Sequence, residues 1–285
     1  MSEASNEFPA HDFASNGVAV FPSAIGREQL ELFRTAVDRL VDDFDPARVT
    51  TVFSTDDQSH ARSDYFLSSG DKTRYFLEDG ALDASGELNS AAKDDKRRAL
   101  NKIGHAMHDL DPAMSEFCRS GPFEHAASAV GMSNPLLLQS MVIFKNPEVG
   151  GEVNIHTDHT FLWTEPQSAH GFWVAIDDAT RENGCLWALP GHHTTPVKSR
   201  FHRNAAGDAT EMTVFDDTPY PENGWVPLEV EAGTLIALHG TLPHKSAPNL
   251  SQKPRLAFTL HCIEAAAEYA ADNWLQRPGL PLASF

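Results

Sequence analysis

An imidazole and a carboxylate stand two residues apart in the stretch Asn154-Ile155-His156-Thr157-Asp158-His159-Thr160. Alternate side chains of an extended strand leave the same face, so His156 and Asp158 can contact one metal ion together. Two ligands are too few for a catalytic site, which needs a third protein ligand and open positions for substrate or water. Two histidines and one carboxylate would form the facial triad typical of non-haem Fe(II) oxygenases.

The third ligand has two candidates farther along the chain, His239 and His244. His244 is followed closely by Ser246 and then by Arg255, at the start of the next apolar run. The planar fork of an arginine binds a carboxylate through two hydrogen bonds, and a hydroxyl can assist it. An oxygenase that consumes 2-oxoglutarate must hold the distal carboxylate of that cosubstrate. The sequence therefore favours His244 as ligand, with Arg255 and Ser246 at the cosubstrate.

The strand that starts at Arg255 is predicted to separate a polar face from an apolar one. Alternation places Arg255, Ala257, Thr259 and His261 on one face, and apolar residues such as Phe258 on the other. The remaining nearby histidines are predicted to be structural or surface residues rather than ligands. They are His159, His170, His192, His193 and His261.

Composition and charge limit the class of protein. The chain has 285 residues, of which 41% are hydrophobic and 22% charged, as expected for one globular domain. A net charge of -18 argues against nucleic acid and against an anionic membrane surface as partners. No apolar run is long enough to span a membrane and the N-terminus does not resemble a signal peptide, so a cytoplasmic location is predicted. Cys118, Cys185 and Cys262 are expected to be buried free thiols.

The first part of the chain has mainly helical periodicity, which predicts that residues 1–135 form mostly helical support. A single domain spanning 1–285 is expected, since no linker or repeat divides the chain. The predicted elements of this part are a strand at 17–22, a helix at 27–44, a strand at 50–53, a loop at 56–64, a helix at 93–110 that carries Lys102, and a helix at 112–130.

From residue 136 the pattern changes to short apolar runs separated by Gly, Pro and Asn, which predicts strands and turns. Many short strands favour a jelly roll as the core, spanning 136–264, followed by a C-terminal tail at 265–285. The predicted strands are 136–144, 151–156, 171–177, 185–188, 233–238 and 256–263. Residues 192–227 do not have a clear strand pattern. We expect this segment to be a lid-like insert whose basic residues, Lys198, Arg200, His202 and Arg203, meet an anionic substrate group.

These motifs together resemble the phytanoyl-CoA dioxygenase family, and the resemblance spans nearly the whole chain. It rests on His156-Thr157-Asp158, His244-Lys245-Ser246 and Arg255, with residues 173–180, 182–187 and 190–193 between them, and further on 65–72, 101–108, 164–166 and 273–276. One departure is that the usual Pro-Gly-Ser-His of the family reads Pro190-Gly191-His192-His193 here. The targeting segment of the peroxisomal member also has no counterpart.

The resemblance implies a mainly β protein with flanking helices, built on a double-stranded β-helix of the jelly-roll or cupin-like kind. It implies Fe(II) on His156, Asp158 and His244, with 2-oxoglutarate as cosubstrate and O2 as oxidant. The cosubstrate residues it implies are Lys102, Met141, Thr157, Trp173, Ser246 and Arg255. The reaction would yield succinate and CO2, and the retained Asp158 favours hydroxylation or desaturation over halogenation.

Two other functions remain open from the sequence. A hydrolase or isomerase could use the same three ligands without 2-oxoglutarate, and a sensor module could bind iron and cosubstrate without a substrate of its own. The substrate is expected to be a small organic molecule, with Phe161, Trp163, Phe172 and Trp187 as candidates for an apolar pocket. An anionic group on that molecule would suit the basic insert.

Overall fold

The computed structural model describes residues 8–46, 49, 51–52 and 64–285. The strand predicted at 50–53 and the loop predicted at 56–64 lie largely outside these residues. The α-helices of the described residues are α1 (Phe13–Asn16), α2 (Arg27–Asp42), α3 (Asp64–Leu67), α4 (Ser90–Asp94), α5 (Met107–Leu110), α6 (Pro112–Cys118), α7 (Gly121–Ala129) and α8 (Asp158–Phe161). Short 3-10 helices of the described residues cover Ala10–Asp12, Lys96–Ala99 and His192–Thr194.

The strands form two principal antiparallel sheets. In chain order the strands are β1 (Val18–Phe21), β2 (Thr73–Leu77), β3 (Leu100–His105), β4 (Pro135–Lys145), β5 (Val153–His156), β6 (Thr164–Glu165), β7 (His170–Ala175), β8 (Leu186–Ala188), β9 (Ser199–Arg203), β10 (Thr210–Val214), β11 (Val226–Leu228), β12 (Leu235–His239), β13 (His244–Ser246), β14 (Arg255–Glu264) and β15 (Glu268–Tyr269). The seven-stranded major sheet has the order β1-β12-β7-β14-β4-β3-β2, and the four-stranded minor sheet has the order β11-β8-β13-β5.

The major sheet lies between the helices and the minor sheet. Towards the minor sheet, Trp173, Ala257 and Ile236 pack with Leu186 and Leu228 in one buried cluster. Two facing sheets built from strands distant in sequence form a jelly roll, so the predicted double-stranded β-helix is confirmed. All six strands predicted between 136 and 264 are present, with ends that differ from the prediction by no more than two residues.

Helices α2, α6 and α7 pack on the opposite face of the major sheet. Helix α2 buries its apolar stripe, including Phe33 and Val37, as its periodicity predicts. The helix predicted at 112–130 is divided in two, because Ser120 lies between α6 and α7 in extended geometry. Within the described residues, none of the helices combines the length and apolarity needed to cross a bilayer. The three cysteines are free and buried, as predicted.

The helix predicted at 93–110 is wrong. Its centre is strand β3, which pairs with β2 on one side and with β4 on the other. Leu100 and Ile103 have helical spacing but are buried on a strand whose two faces are both covered, so spacing alone misled the prediction. Pairing with the sheet outweighs the local preference.

Residues 8–135 are therefore more than a helical layer. Strand β1 forms one edge of the major sheet, while β2 and β3 form the other. The insert at 192–227 also differs from its prediction, because β9 and β10 pair as an antiparallel hairpin. An exposed hairpin has no alternation of buried and polar residues on its outer strand, and β10 is exposed along most of its length.

Phe258 gives a test of the core between the major sheet and the helices. Its ring contacts Phe33, Phe117 and Phe123 at centroid distances of 5.3, 5.5 and 6.1 Å. We expect Phe258→Ala to lower the free energy of unfolding by about 3 to 5 kcal/mol, since it leaves a cavity among aromatic rings. Chemical denaturation measures this change. Phe215→Ala, at a ring that is 56% exposed, should cost about 1 kcal/mol or less, and equal losses would contradict this account of the core.

Candidate active site

His156 and His244 lie directly opposite each other where β5 pairs with β13. Their ring centroids are 4.2 Å apart. Thr157 continues the extended backbone, with φ -121° and ψ 142°, so Asp158 returns to the same side as His156 and then begins α8. Strand pairing and one extended residue therefore bring the three predicted ligands together.

The three side chains form a group that could hold a metal ion, since one donor atom from each lies within 4.8 Å of the others. Asp158 Oδ1 is 3.8 Å from His156 Nε2 and 3.6 Å from His244 Nε2. Two atoms that each bind an ion at about 2.1 Å can be at most about 4.2 Å apart. Both distances satisfy that limit.

Backbone carbonyls fix the orientation of both imidazoles. His156 Nδ1 is 2.8 Å from the carbonyl of Asn154, and His244 Nδ1 is 3.0 Å from the carbonyl of Leu242. A carbonyl oxygen only accepts, so each Nδ1 carries the proton and each Nε2 offers its lone pair to the centre. Metal-binding histidines are typically held in this way, and the donor set therefore fits a first-row ion such as iron.

The protonation states also suit a metal ion. Burial opposes ionisation of Asp158, but the rings of His261 and His244 outweigh it and hold the carboxyl pKa below its usual range. Burial and the neighbouring His244 lower the pKa of His156 to about 4. Asp158 is thus a carboxylate and His156 a neutral imidazole near neutral pH, which are the forms that bind metal.

His261 lies behind Asp158 on β14. Its Nε2 is 3.3 Å from Asp158 Oδ2, the oxygen that does not face the other two histidines. The prediction that His261 is a packing residue and not a ligand agrees with the metal-capable group, which excludes it. The sequence did not reveal the contact with Asp158, although alternation along β14 had placed His261 on the face of Arg255.

Arg255 is a buried cation with unused hydrogen-bonding capacity. It is 2% exposed, and its Nε and Nη1 have no hydrogen-bond partner among the described residues. Its Nη2 is 3.5 Å from Ser246 Oγ, and its guanidinium lies 5.6 Å from the Trp173 ring centroid. Burial lowers the pKa of Arg255 to about 10, so it remains charged at neutral pH. An anion with two acceptor oxygens would satisfy it.

Three other predicted cosubstrate residues, Lys102, Met141 and Trp173, lie on the same face of the major sheet as Arg255. Met141 and Trp173 both stand opposite Thr259 on adjacent strands, and Lys102 stands opposite Ile143, two residues along β4 from Met141. Lys102 is thus on a strand and not on the predicted helix. It is 8% exposed, and burial lowers its pKa to about 7.

Lys145 is a buried cation that the sequence did not single out. It stands opposite Arg255 in the pairing of β14 with β4. Its Nζ donates to the carbonyls of Ser246 and Ala247, which fixes the end of β13. Burial and the nearby Arg255 lower the pKa of Lys145 to about 7.

Several predicted substrate residues are elsewhere. Phe172 is buried on the helix side of the major sheet, in the cluster that contains Phe258. Trp187 is opposite Lys245, so it lies on the face of the minor sheet away from His244. Phe161 is close to the metal-capable group, with its ring 5.9 Å from that of His156. Phe172 and Trp187 are therefore wrong as pocket residues.

The basic residues of the insert already have hydrogen-bond or ion-pair partners within the chain. Lys198 donates to Asp216 and Thr218, while Arg200 pairs with Asp272. Arg203 donates to the carbonyls of Leu67 and Trp274. His202 lies 3.9 Å from a carboxylate oxygen of Asp272. The prediction that this cluster meets an anionic substrate loses its main support, since its charges already have partners.

Thr157 and His159 flank Asp158 without joining the metal-capable group. The Thr157 hydroxyl is 2.9 Å from that of Thr160, which ties the first turn of α8 together. His159 is fully buried, and its ring lies 4.5 Å from Trp163. The prediction that His159 is structural agrees with this packing.

Arg255 provides a stability test of the site. A buried cation with unpaired N–H groups costs free energy, and an apolar side chain of similar length avoids that cost. We expect Arg255→Met to leave the free energy of unfolding of the ligand-free protein unchanged or to raise it by up to about 3 kcal/mol. Arg27→Met, at an exposed position, is the control. A loss of stability in Arg255→Met by chemical denaturation would contradict the unpaired state.

Comparison with known proteins agrees with this geometry. The family model described as phytanoyl-CoA dioxygenase (PhyH) matches residues 13–257. The chain is 41% identical over 271 residues to a protein of Arabidopsis thaliana named phytanoyl-CoA dioxygenase, covering 94% of this chain and 93% of the relative. It is 40% identical over 278 residues to phytanoyl-CoA dioxygenase domain-containing protein 1 of Bos taurus, covering 94% of each chain.

Solved structures show the same fold at low identity. EctD from S. alaskensis, crystallised with 2-oxoglutarate and 5-hydroxyectoine, has a TM-score of 0.63 at 19% identity, covering 98% of this chain and 88% of EctD. The non-haem α-ketoglutarate-dependent epimerase SnoN has a TM-score of 0.64 at 16% identity, covering 95% of this chain and 89% of SnoN. The chain belongs to the phytanoyl-CoA dioxygenase family, and it is a 2-oxoglutarate-dependent non-haem iron dioxygenase.

Proposed function

We propose that this enzyme hydroxylates an unactivated C–H bond of a small organic substrate and forms succinate and CO2 as coproducts. In this proposal His156, Asp158 and His244 hold Fe(II), and Arg255 with Ser246 holds the distal carboxylate of 2-oxoglutarate. The observation that carries the proposal is the combination of the three-donor group with a buried arginine whose Nε and Nη1 have no partner among the described residues.

The site is suited to iron chemistry because it combines three protein donors, two of which are buried. Bound Fe(II) and 2-oxoglutarate supply the reaction with O2, in which the keto acid is oxidatively decarboxylated and one oxygen atom enters the substrate C–H bond. The chain's own task is to orient the reactants and to exclude water. Asp158 and His244 are buried, and the major sheet covers one side of the metal-capable group.

The cosubstrate pocket is proposed to extend across the face of the major sheet that is turned towards the minor sheet, from the metal-capable group to Arg255. The Trp173 ring lies against the guanidinium of Arg255, and Lys145 adds positive charge on the adjacent strand. Met141 would contact the methylene groups of 2-oxoglutarate, and Lys102 would face its negative charge. Buried cations on one face favour a dianion over a neutral molecule.

Substrate is proposed to approach from the side of His156. The His156 side chain is 25% exposed, against 9% for Asp158 and 7% for His244, so this ligand borders the open side of the centre. Phe161 packs on His156, and Phe201 of the hairpin β9–β10 packs on Phe161 at 5.4 Å. The insert at 192–227 would therefore cover an apolar part of the substrate, as a lid. An anionic substrate group stays a prediction, as does a cytoplasmic location.

The two alternative functions explain less of the site. A hydrolase or isomerase that uses the same ligands gives no role to Arg255, whose buried Nε and Nη1 lack partners among the described residues at a cost in free energy. A sensor module would bind iron and cosubstrate without turning over a substrate, so only the rate of product formation distinguishes it from an enzyme. Measuring succinate formation therefore tests both alternatives.

The direct test is succinate formed from 2-oxoglutarate by protein reconstituted anaerobically with Fe(II) and then given air. We expect succinate from the wild type, and at least about 100-fold less from His156→Ala, because a metal ligand is lost. Arg255→Ala should need a much higher 2-oxoglutarate concentration. His125→Ala, at an exposed position on α7, should match the wild type. No succinate from the wild type under iron and 2-oxoglutarate saturation would contradict the proposed oxygenase.

Lys102 should make 2-oxoglutarate binding depend on pH. Its pKa is lowered to about 7 by burial in the ligand-free protein, and a bound anion would favour its charged form. Below pH 7 the lysine is already charged, whereas above pH 7 it must take up a proton from solvent when the ligand binds, so affinity should fall as pH rises. Calorimetry in buffers of different ionisation enthalpy measures the proton uptake.

The matched variants for this prediction are Lys102→Met and the exposed Lys253→Met. At pH 8.5 we expect Lys102→Met to take up fewer protons per bound 2-oxoglutarate than the wild type, by up to about one. Lys253→Met should take up as many as the wild type. Equal uptake in all three proteins would show that Lys102 does not face the cosubstrate.

A further inference from the structure

His261 contacts the carboxylate of Asp158 from the side away from the metal-capable group. It stands on β14 opposite Gly171 of β7 and is 6% exposed. Its Nε2 is 3.3 Å from Asp158 Oδ2. The sequence motif His156-Thr157-Asp158 gives no indication of this residue, which lies more than a hundred positions later in the chain.

The two oxygens of Asp158 have different neighbours. Oδ1 faces the Nε2 atoms of His156 and His244, at 3.8 and 3.6 Å, whereas Oδ2 faces His261. The sheet also closes on Oδ2, because a Cβ atom at Gly171 would lie only 2.8 Å from it. The carboxylate therefore rests against the major sheet through one oxygen and offers the other to the centre.

We propose that His261 is a positioning residue that keeps Asp158 a one-oxygen metal ligand. This inference rests on the proposed function. Three protein atoms would then hold the ion, which would leave positions for the keto acid of 2-oxoglutarate and for O2. If Asp158 rotated and bound through both oxygens, it would take a position that the cosubstrate needs.

The chemistry of His261 suits this task. Its Nε2 can donate to Oδ2, and a hydrogen bond to a carboxylate oxygen reduces that oxygen's capacity to bind a metal as well. Its Nδ1 is buried and has no hydrogen-bond partner among the described residues. An apolar residue would fill this place at lower cost, since the neighbouring Ala257 and Leu260 are apolar and fully buried. The contact with Asp158 gives the imidazole a role at this position.

The experiment compares His261→Leu, which removes the donor, with His261→Gln, which places an amide N–H at the end of a side chain of similar reach. Each protein is loaded with Co(II) as a probe and titrated anaerobically with 2-oxoglutarate. Two quantities are recorded: the visible absorption spectrum of Co(II), which reports its coordination, and the dissociation constant of 2-oxoglutarate. His239→Gln is the control, because His239 bonds Thr241 and is not among the described histidines that pair with Asp158.

We expect His261→Leu to change the Co(II) spectrum before 2-oxoglutarate is added and to weaken 2-oxoglutarate binding by about 10-fold or more. His261→Gln should restore the wild-type spectrum and bind within about threefold of the wild type. A residue needed only for packing would alter thermal stability but leave the spectrum unchanged. A wild-type spectrum and wild-type 2-oxoglutarate affinity in His261→Leu would overturn the inference.

Gly171→Ala provides a second variant should His261→Leu fail to fold. The added Cβ would lie 2.8 Å from Asp158 Oδ2 and 3.4 Å from His261 Nε2, so it displaces the carboxylate without removing the imidazole. The same change of spectrum and loss of affinity is expected, and wild-type behaviour would overturn the inference. Wild-type protein that binds neither Co(II) nor 2-oxoglutarate would overturn the proposed function as well, whereas normal wild-type binding confines any failure to His261.

Discussion

The site depends on the antiparallel pairing of β5 with β13, which puts His156 directly opposite His244. Directly paired residues have Cβ atoms only about 4.5 to 5.5 Å apart, so this register alone brings two imidazoles to one ion. A slip by one residue would turn His244 to the other face of the sheet. The jelly-roll topology permits the pairing, because it places strands distant in sequence side by side, and Asp158 follows from one extended residue after His156.

Buried charge is the second constraint on this fold. Lys102, Lys145 and Arg255 lie on β3, β4 and β14 with exposures of 8%, 2% and 2%, although the protein as a whole carries a net charge of -18. A core selected only for stability would not contain three such cations. Their placement on the strands that flank the centre creates a local positive potential in an acidic protein. Ligand-free enzyme is therefore less stable than it could be, and an anionic cosubstrate would recover part of that stability.

The sequence predicted the parts of this structure that follow from local alternation. The strands after residue 136, the pairing of His156 with Asp158 across Thr157, and the polar face of β14 all obey a period of two. It failed where contacts between distant segments decide the outcome. Strand β3 has helical spacing but is drawn into the sheet, and Phe172 faces the helices because Trp173 beside it faces the site. The cationic side chains of the insert pair with carboxylates and carbonyls of other segments, which no local sequence pattern indicates. His261 and Lys145 act through neighbours on other strands, so only the fold identifies them.

We propose that one Fe(II) ion and one 2-oxoglutarate bind together between His156, Asp158, His244 and Arg255. An anaerobic titration of apoprotein with Fe(II) and then with 2-oxoglutarate, followed by the visible charge-transfer absorption of a keto acid chelated to iron, tests this directly. We expect an absorption that requires both additions, saturates at one equivalent of each per chain, and is absent from Asp158→Ala. Iron binding without such an absorption at saturating 2-oxoglutarate, or an unchanged absorption in Asp158→Ala, would contradict it.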